Sequence, residues 1–264
     1  MTNTFIVHPT ARRGVVRVEA TLADFEFPAH SHDHVCIGLV RSGEHNCRYG
    51  LRRHTVAQGD LMLVNPGEVH DGRPSAGCGR RYTMLEVDPS AFRSICRGAL
   101  GTEWIEFGQA VVRDPRAGAV LSAWLDALAG KDQVAERDAA AMVVGHLTEH
   151  ADRGPRARAA NDLATRVLRQ MREEDADADG IGKLAAETGV SRYALIRAFK
   201  RTFHLTPEDV RRQLRIERAR VQLAGSAALV EIAAAAGFAD QSHMTREFRR
   251  LLGVSPSAYR RALQ

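Results

Sequence analysis

The sequence predicts two domains of unlike class: an all-β barrel with two appended helices, then an all-α domain that carries a helix-turn-helix twice. Three observations predict it. Between Ile181 and Tyr259 one pattern occurs twice. Ile181, Leu184 and Ala185 lead to Gly189-Val190-Ser191, then Leu195, Phe199, Thr206-Pro207 and Val210; Leu229, Ile232 and Ala233 lead to Gly237-Phe238, then Met244, Phe248, Ser255-Pro256 and Tyr259. The offset is 237 − 189 = 48 before the turn and 248 − 199 = 49 after it, which marks an internal repeat. Ahead of residue 107 the apolar runs are instead short and alternating, with Gly-rich turns between them. Charge divides in the same way. From Pro155 onward there are 20 Arg/Lys and 13 Asp/Glu, net +7, whereas the remainder has 17 and 19, net −2. A basic half that coincides with paired helical motifs points to a phosphate-bearing partner.

Taken in order, residues 1–14 form an N-terminal arm with His8, Arg12 and Arg13. From Phe5 to about Phe107 the texture is β. Val15 to Val18, Val35 to Val40, Leu61 to Val64 and Met84 to Val87 are apolar stretches separated by turns at Ser42-Gly43, Gly50, Gln58-Gly59-Asp60, Pro66-Gly67 and Gly77 to Gly79. The histidines cluster at His30, His32 and His34, just ahead of a strand, and again at His70. With 264 residues and 44% hydrophobic content the chain can bury a full core, and no run of about 18 apolar residues exists to cross a membrane. A soluble cytoplasmic protein is expected. Cys36, Cys47, Cys78 and Cys96 show no CxxC spacing, which fits reduced thiols.

From Pro115 the period becomes helical. Val120, Leu121, Trp124, Leu125 and Leu128 stop at Gly130, and Val134, Ala140, Val143, Val144 and Leu147 form a second stripe. These helices either cover the barrel or pair two subunits; the reading adopted is pairing, hence a homodimer. Residues 1–150 form the first domain. The small, polar stretch 151–160, broken by Gly154-Pro155, is the expected linker, and 161–264 the second domain. There Leu163, Val167, Leu168 and Met171 make a stripe capped by Asn161 or Asp162, and Glu173 to Asp179 is an acidic loop. The two helix-turn-helix motifs fall at about 181–203 and 229–252. Gly189 and Gly237 supply the turns that require positive φ, Ser191 and Asp240 cap the second helices, and Thr206-Pro207-Glu208-Asp209 starts the helix that joins the copies.

These residues, from about Leu163 to Arg261, resemble the AraC/XylS family of transcription regulators. Leu184-Ala185, Ser191, Phe199-Lys200, the connecting helix from Arg215 to Leu223, Gly237-Phe238, Phe248-Arg249 and Gly253-Val254-Ser255-Pro256 carry the resemblance. His204 departs from it, standing where the family usually has Gly and the second copy keeps Gly253. The resemblance implies a cytoplasmic, sequence-specific DNA-binding regulator, most often an activator. Its partners would be double-stranded DNA, a small-molecule effector and RNA polymerase, with no membrane. By position and by resemblance, Arg192, Tyr193, Ile196 and Arg197 on the first recognition helix, and Gln241, Ser242, His243, Thr245 and Arg246 on the second, face base edges. Lys200, Arg201, Arg249 and Arg250 are phosphate contacts or solvated charge. Leu195, Phe199, Met244 and Phe248 are core.

Gly59 to His70 resembles the second conserved box of a cupin barrel, a fold that regulators of this family commonly carry as their effector domain. A mononuclear cupin metal site has His-x-His, a Glu and a further His. Here His30, His32 and His70 fill three places, but the Glu position falls on Cys36 or Ile37. The reading adopted is that His30, His32, Arg41 and His70 line an effector pocket without metal or cofactor. Glu44, Tyr49, Arg52, Asp71 and Trp104 are further polar neighbours whose strand register the sequence leaves open. No catalytic constellation is present, so an enzyme is not expected; the alternative is a metal-dependent cupin enzyme fused to a DNA-binding module, with Cys36 or Cys78 as ligand.

Overall fold

The computed structural model describes residues 3–49, 52–75, 79–130, 132–151, 163–173 and 180–263. Residues 152–160 of the expected linker, the caps Asn161 and Asp162, residues 174–179 of the acidic loop, Gly50, Gly77 and Cys78 lie outside the described residues. The chain divides into two compact units, one of residues 1–26, 33–155 and 262–264, the other of residues 27–32 and 156–261. Among the described residues Cys36, Cys47 and Cys96 are not joined in disulfides.

The strands of the first unit are β1 (Thr4–Pro9), β2 (Val15–Leu22), β4 (Val35–Ser42), β5 (Glu44–Tyr49), β6 (Arg52–Ala57), β7 (Leu61–Val64), β8 (His70–Pro74), β9 (Arg80–Val87) and β10 (Val111–Val112); β3 (Phe27–His30) lies in the stretch assigned to the second unit. A six-stranded sheet runs β1-β2-β9-β4-β7-β10, and the first-unit strands of a smaller sheet run β8-β5-β6. Antiparallel register pairs Ile37 with Leu63 and with Leu85, so one face of the large sheet carries Ile37, Leu39, Leu61, Leu63, Leu85 and Val87. That face packs into a single core with α1 (Pro89–Leu100), α2 (Pro115–Ala129) and α3 (Gln133–Leu147) through Phe92, Ile95, Leu121, Trp124, Val143 and Val144. Gly38 lies on the opposite face, where an added Cβ would meet Met84 Cε at 3.0 Å and Met62 Cε at 3.5 Å.

Helix α1 corrects the expectation of β structure throughout to residue 107, and it makes the appended helices three. Its signals are local: Pro89 in the first turn, buried Ala91, Phe92, Ile95 and Cys96 at helical spacing, and Gly101 ending it at φ 67°. They are only twelve residues long and sit among short apolar runs, so the strand texture around them masks the change of period.

In the second unit α4 (Leu163–Glu173) precedes α5 (Ile181–Glu187), α6 (Arg192–Phe203), α7 (Pro207–Gln222), α8 (Leu229–Ala235), α9 (Gln241–Leu252) and α10 (Pro256–Leu263). The repeat extends to backbone detail. After α5 the N–H groups of Gly189 and Val190 donate to the carbonyls of Ala186 and Ala185; after α8 those of Gly237 and Phe238 donate to Ala234 and Ala233. Gly189 (φ 69°) and Gly237 (φ 83°) take the left-handed turn that this closure requires. Ser191 Oγ then caps α6 through the Ala194 N–H, and Asp240 caps α9 through the His243 N–H. Thr206 and Asp209 form a reciprocal capping box on α7. Leu195, Phe199, Met244 and Phe248 are all buried to zero exposure. Helix α7 packs against α6, α8 and α9 and so fixes the two motifs on one frame.

Candidate functional site

Burying Leu195, Ala198 and Phe199 leaves Arg192, Tyr193, Arg197 and Lys200 exposed on α6, with Ile196 half-buried beside them. Tyr193 is 70% exposed, large for an aromatic ring, and the Arg197 guanidinium lies 5.7 Å from its centroid. The Arg192 guanidinium lies over Gly182 of α5, 3.1 Å from where a Cβ would stand. On α9, Gln241, Ser242 and Arg246 are exposed while Met244, Phe248 and Leu251 are buried.

Three expected contact residues are otherwise engaged. The His243 ring packs edge-on against Phe238 at 5.4 Å and is half-buried. The Thr245 hydroxyl donates to the Gln241 carbonyl at 2.8 Å. Arg250 is held by the Glu247 carboxylate, Nε at 3.0 Å and an Nη at 2.9 Å, and Arg212 also approaches Glu247 at 3.5 Å. Arg250 is therefore partly neutralised within its own helix turn, which a phosphate contact would have to compete with.

In the first unit, β5 alternates Glu44, Asn46 and Arg48 with His45, Cys47 and Tyr49, and the second set points between the sheets. His45 Nε2 lies 3.0 Å from Met62 Sδ, and the Tyr49 hydroxyl accepts the Asn65 N–H at 2.9 Å. Burial is the main reason why His45 is lowered to about 4, with the Arg80 charge adding to it. The ring is thus neutral at pH 7, and its buried Nδ1 has no hydrogen-bond partner. Burial also pushes the Cys47 thiol up to about 11 and raises Tyr49 and Tyr82 above the usual phenol range. Gly38 gives Met62 and Met84 room on this face, and both are half-buried. The interior therefore offers neutral hydrogen-bonding groups and one buried guanidinium, Arg80, among thioethers and apolar walls.

His30 and His32 lie in the 27–32 stretch with ring centroids 5.9 Å apart, and His30 Nδ1 donates to the Pro28 carbonyl at 2.8 Å. His70, on β8, donates through Nδ1 to the Glu68 carbonyl at 3.0 Å and lies beside Tyr49, 6.2 Å between ring centroids. A carbonyl accepts only, so each neutral ring keeps its lone pair on Nε2. Arg41 is a correction. It shares the face of Ile37 and Leu39, is exposed, and donates to Thr83 Oγ1 and Ser122 Oγ on the helix side of the large sheet. The partners decide this: Thr83 stands opposite Leu39 on the helix side of the sheet, and Arg41 itself sits in the register shift between Val40 and Ser42, where alternation along the strand is interrupted. Among the other polar neighbours, Asp71 accepts the Arg48 N–H at 2.7 Å. Arg12 on the arm pairs with buried Glu136 at 2.8 Å, whose other oxygen accepts the Trp124 indole N–H at 2.8 Å.

Sequence reasoning passed over His45, Tyr82, Met62 and Met84. Alternation on β5 links His45 to Tyr49, but it carries no weight until one residue of the strand is known to face inward.

Residues 13–145 match the family model of an AraC-like ligand binding domain, and residues 184–262 match that of a helix-turn-helix domain. The chain is 26% identical over 227 residues to the HTH-type transcriptional regulator YbfI of Bacillus subtilis, covering 83% of this chain and 82% of that one. It is 25% identical over 262 residues to the HTH-type transcriptional activator RhaS of Yersinia pestis, covering 94% of each. Its fold is similar to that of ToxT from Vibrio cholerae. The apo form of that protein gives a TM-score of 0.65 at 14% identity, covering 97% of this chain and 100% of ToxT; the form with an unsaturated fatty acid bound gives 0.61 at 14%, covering 100% and 98%.

Proposed function

The chain belongs to the AraC family of transcription regulators, and on that premise we propose that it is a homodimeric activator whose grip on DNA is set by a small molecule held in the interior of the first unit. DNA binding follows from the family and its helix-turn-helix domain. The base-reading role belongs to Arg192, Tyr193, Ile196 and Arg197 on α6, and to Gln241, Ser242 and Arg246 on α9. His243 and Thr245 act through position more than through reach. Lys200 and, more weakly, Arg250 meet phosphates. Residues 1–150 carry effector binding and pairing, 161–264 carry DNA binding, and 151–160 join them; the activator would act on RNA polymerase in the cytoplasm.

One observation carries the reading: two helices of twelve residues each, capped in the same way and anchored by the same Phe, present cationic outer faces from one frame. Within the first unit, a neutral His45, Tyr49 and Tyr82 beside Met62, Met84 and the buried Arg80 suit a partly apolar effector, with His70 as a further hydrogen-bonding group. The fatty acid held by ToxT supports an effector of that kind. Relatives named as regulators support a role without catalysis, and neither a cofactor nor a metal is invoked for this activity.

The test is a thermal-shift screen of small molecules on the full-length protein, followed by binding of hits to wild type, His45→Gln and His70→Ala and by anisotropy on operator DNA. The expected result is a hit whose binding weakens in either variant while DNA affinity without effector stays intact. Loss of DNA binding with the first unit still folded would overturn the division of roles.

A further inference from the structure

A second cluster of histidines lies in the first unit, away from the inter-sheet interior. His146 sits in the last turn of α3, and His150 ends the 3-10 turn Thr148–His150 that continues it, so the two are four residues apart on one helical face. Their ring centroids are 6.0 Å apart. Asp114, the N-cap of α2, meets them. Its Oδ1 accepts the Arg116 N–H and its Oδ2 lies 2.8 Å from His146 Nε2. One ligand atom from each of Asp114, His146 and His150 lies within 4.8 Å of the other two.

An ordinary ion pair between helices explains part of this. Asp114 and His146 satisfy one another, and the bonds from Arg116 and His146 hold the Asp114 carboxyl below the usual carboxylate range. It does not explain His150. The Nε2 of that ring is buried and has no hydrogen-bond partner, an arrangement that costs the nitrogen its hydration with nothing in return. The arrangement lacks one thing, an electrophile that takes the lone pair of His150 together with those of His146 and Asp114.

We propose that Asp114, His146 and His150 form a binding site for a divalent transition-metal ion, Zn2+ by its donor set. Two imidazoles and one carboxylate are a standard three-ligand set for that ion, and they leave a fourth tetrahedral position open to water. Bonds of about 2.0–2.2 Å place tetrahedral ligand atoms roughly 3.3 Å apart. The observed 2.8 Å pair has to open and the 4.8 Å limit has to close, side-chain movements of about 1 Å or a little more. His146 ligates through Nε2 as the neutral ring with its proton on Nδ1, and if it starts as imidazolium the second proton is released to solvent on binding. The C-terminal end of α3 adds carbonyl dipoles that favour a cation. The ion ties the start of α2 to the end of α3 just ahead of Ala151, where the backbone already bridges to Phe107.

The test titrates ZnCl2 into chelator-treated full-length protein by calorimetry, with wild type, His150→Ala, Asp114→Asn and His30→Ala compared. Asn retains the capping oxygen of Asp114 and guards against a folding artefact. Wild type and His30→Ala are expected to take up one equivalent that His150→Ala and Asp114→Asn bind about 100-fold more weakly or not at all. The proposal is overturned if wild type takes up no Zn2+, if both site variants bind as wild type does, or if His30→Ala alone abolishes uptake.

Discussion

The two units place their polar chemistry on opposite sides of their cores. In the first, His45, Tyr82 and Glu136 are buried, and Tyr49 and Cys47 point inward from the same strand. In the second, the cores under α6 and α9 are Leu, Phe, Ala and Met, and nearly every charge on those helices stands outside. Inward polarity costs desolvation that must be offset by hydrogen bonds or by a ligand, and it makes the fold sensitive to protonation. Outward cationic charge costs little to hold and gains value only when a polyanion arrives. A receptor interior and a reading surface thus differ in which side of the core is polar.

The largest effect should come from the most heavily used interior polar group. Asn65 Nδ2 donates to Glu68 Oε2 and to the Phe107 carbonyl, each at 3.0 Å, and its Oδ1 accepts the Phe107 N–H at 2.9 Å. Asn65→Ala leaves both Phe107 backbone groups without this partner and is expected to cost about 3 kcal/mol in urea unfolding of the first unit. A loss under 1 kcal/mol would show that water replaces Asn65 easily and that the interior is not closed.

Protonation probes the same contrast. The folded His45 is lowered to about 4 against an ordinary value of 6.5, so the unfolded chain binds the proton first. The associated stability is fully present above pH 6.5, falls as pH drops through that window, and is exhausted below about 4, a loss of roughly 3 kcal/mol. Unfolding of wild type between pH 7 and 5 should lose about 2 kcal/mol more than unfolding of His45→Gln over the same range. Equal pH slopes would mean that His45 titrates normally.

On the outer face, Arg246→Ala should weaken a cognate site by roughly 1–3 kcal/mol and a scrambled duplex much less. Arg250→Ala, already engaged by Glu247, should weaken both duplexes alike and by less, with a fall of under about one unit in the salt slope. Isotherms on both duplexes at several salt concentrations separate the two, and equal losses for Arg246→Ala on each would make α9 a backbone clamp.

The smallest change lies in the frame. His204 and Gly253 both end their helices in the left-handed region, at φ 56° and 75°, and His204 is the only non-Gly residue with positive φ among those described. His204→Gly should stabilise the second unit by up to about 1 kcal/mol without changing DNA affinity. Destabilisation instead would mean that the imidazole makes a contact worth more than the strain.

The sequence determined the second unit almost completely. Helical periodicity, the two turn glycines and the caps at Ser191, Thr206 and Asp240 are local signals, and each acts through hydrogen bonds spanning a few residues. It also determined that the first unit is β and that Trp124 and Leu147 are core. Tertiary structure decided what faces the interior, because side chains alternate along a strand and only pairing between distant strands sets the parity. That is why His45 moved in, while Arg41, in the register shift after Val40, is held out by Thr83 and Ser122. It likewise decided that Arg250 has a carboxylate within reach, and that Asp114, 32 residues before His146, stands beside it. Such meetings depend on how helices pack, which no spacing along the chain encodes.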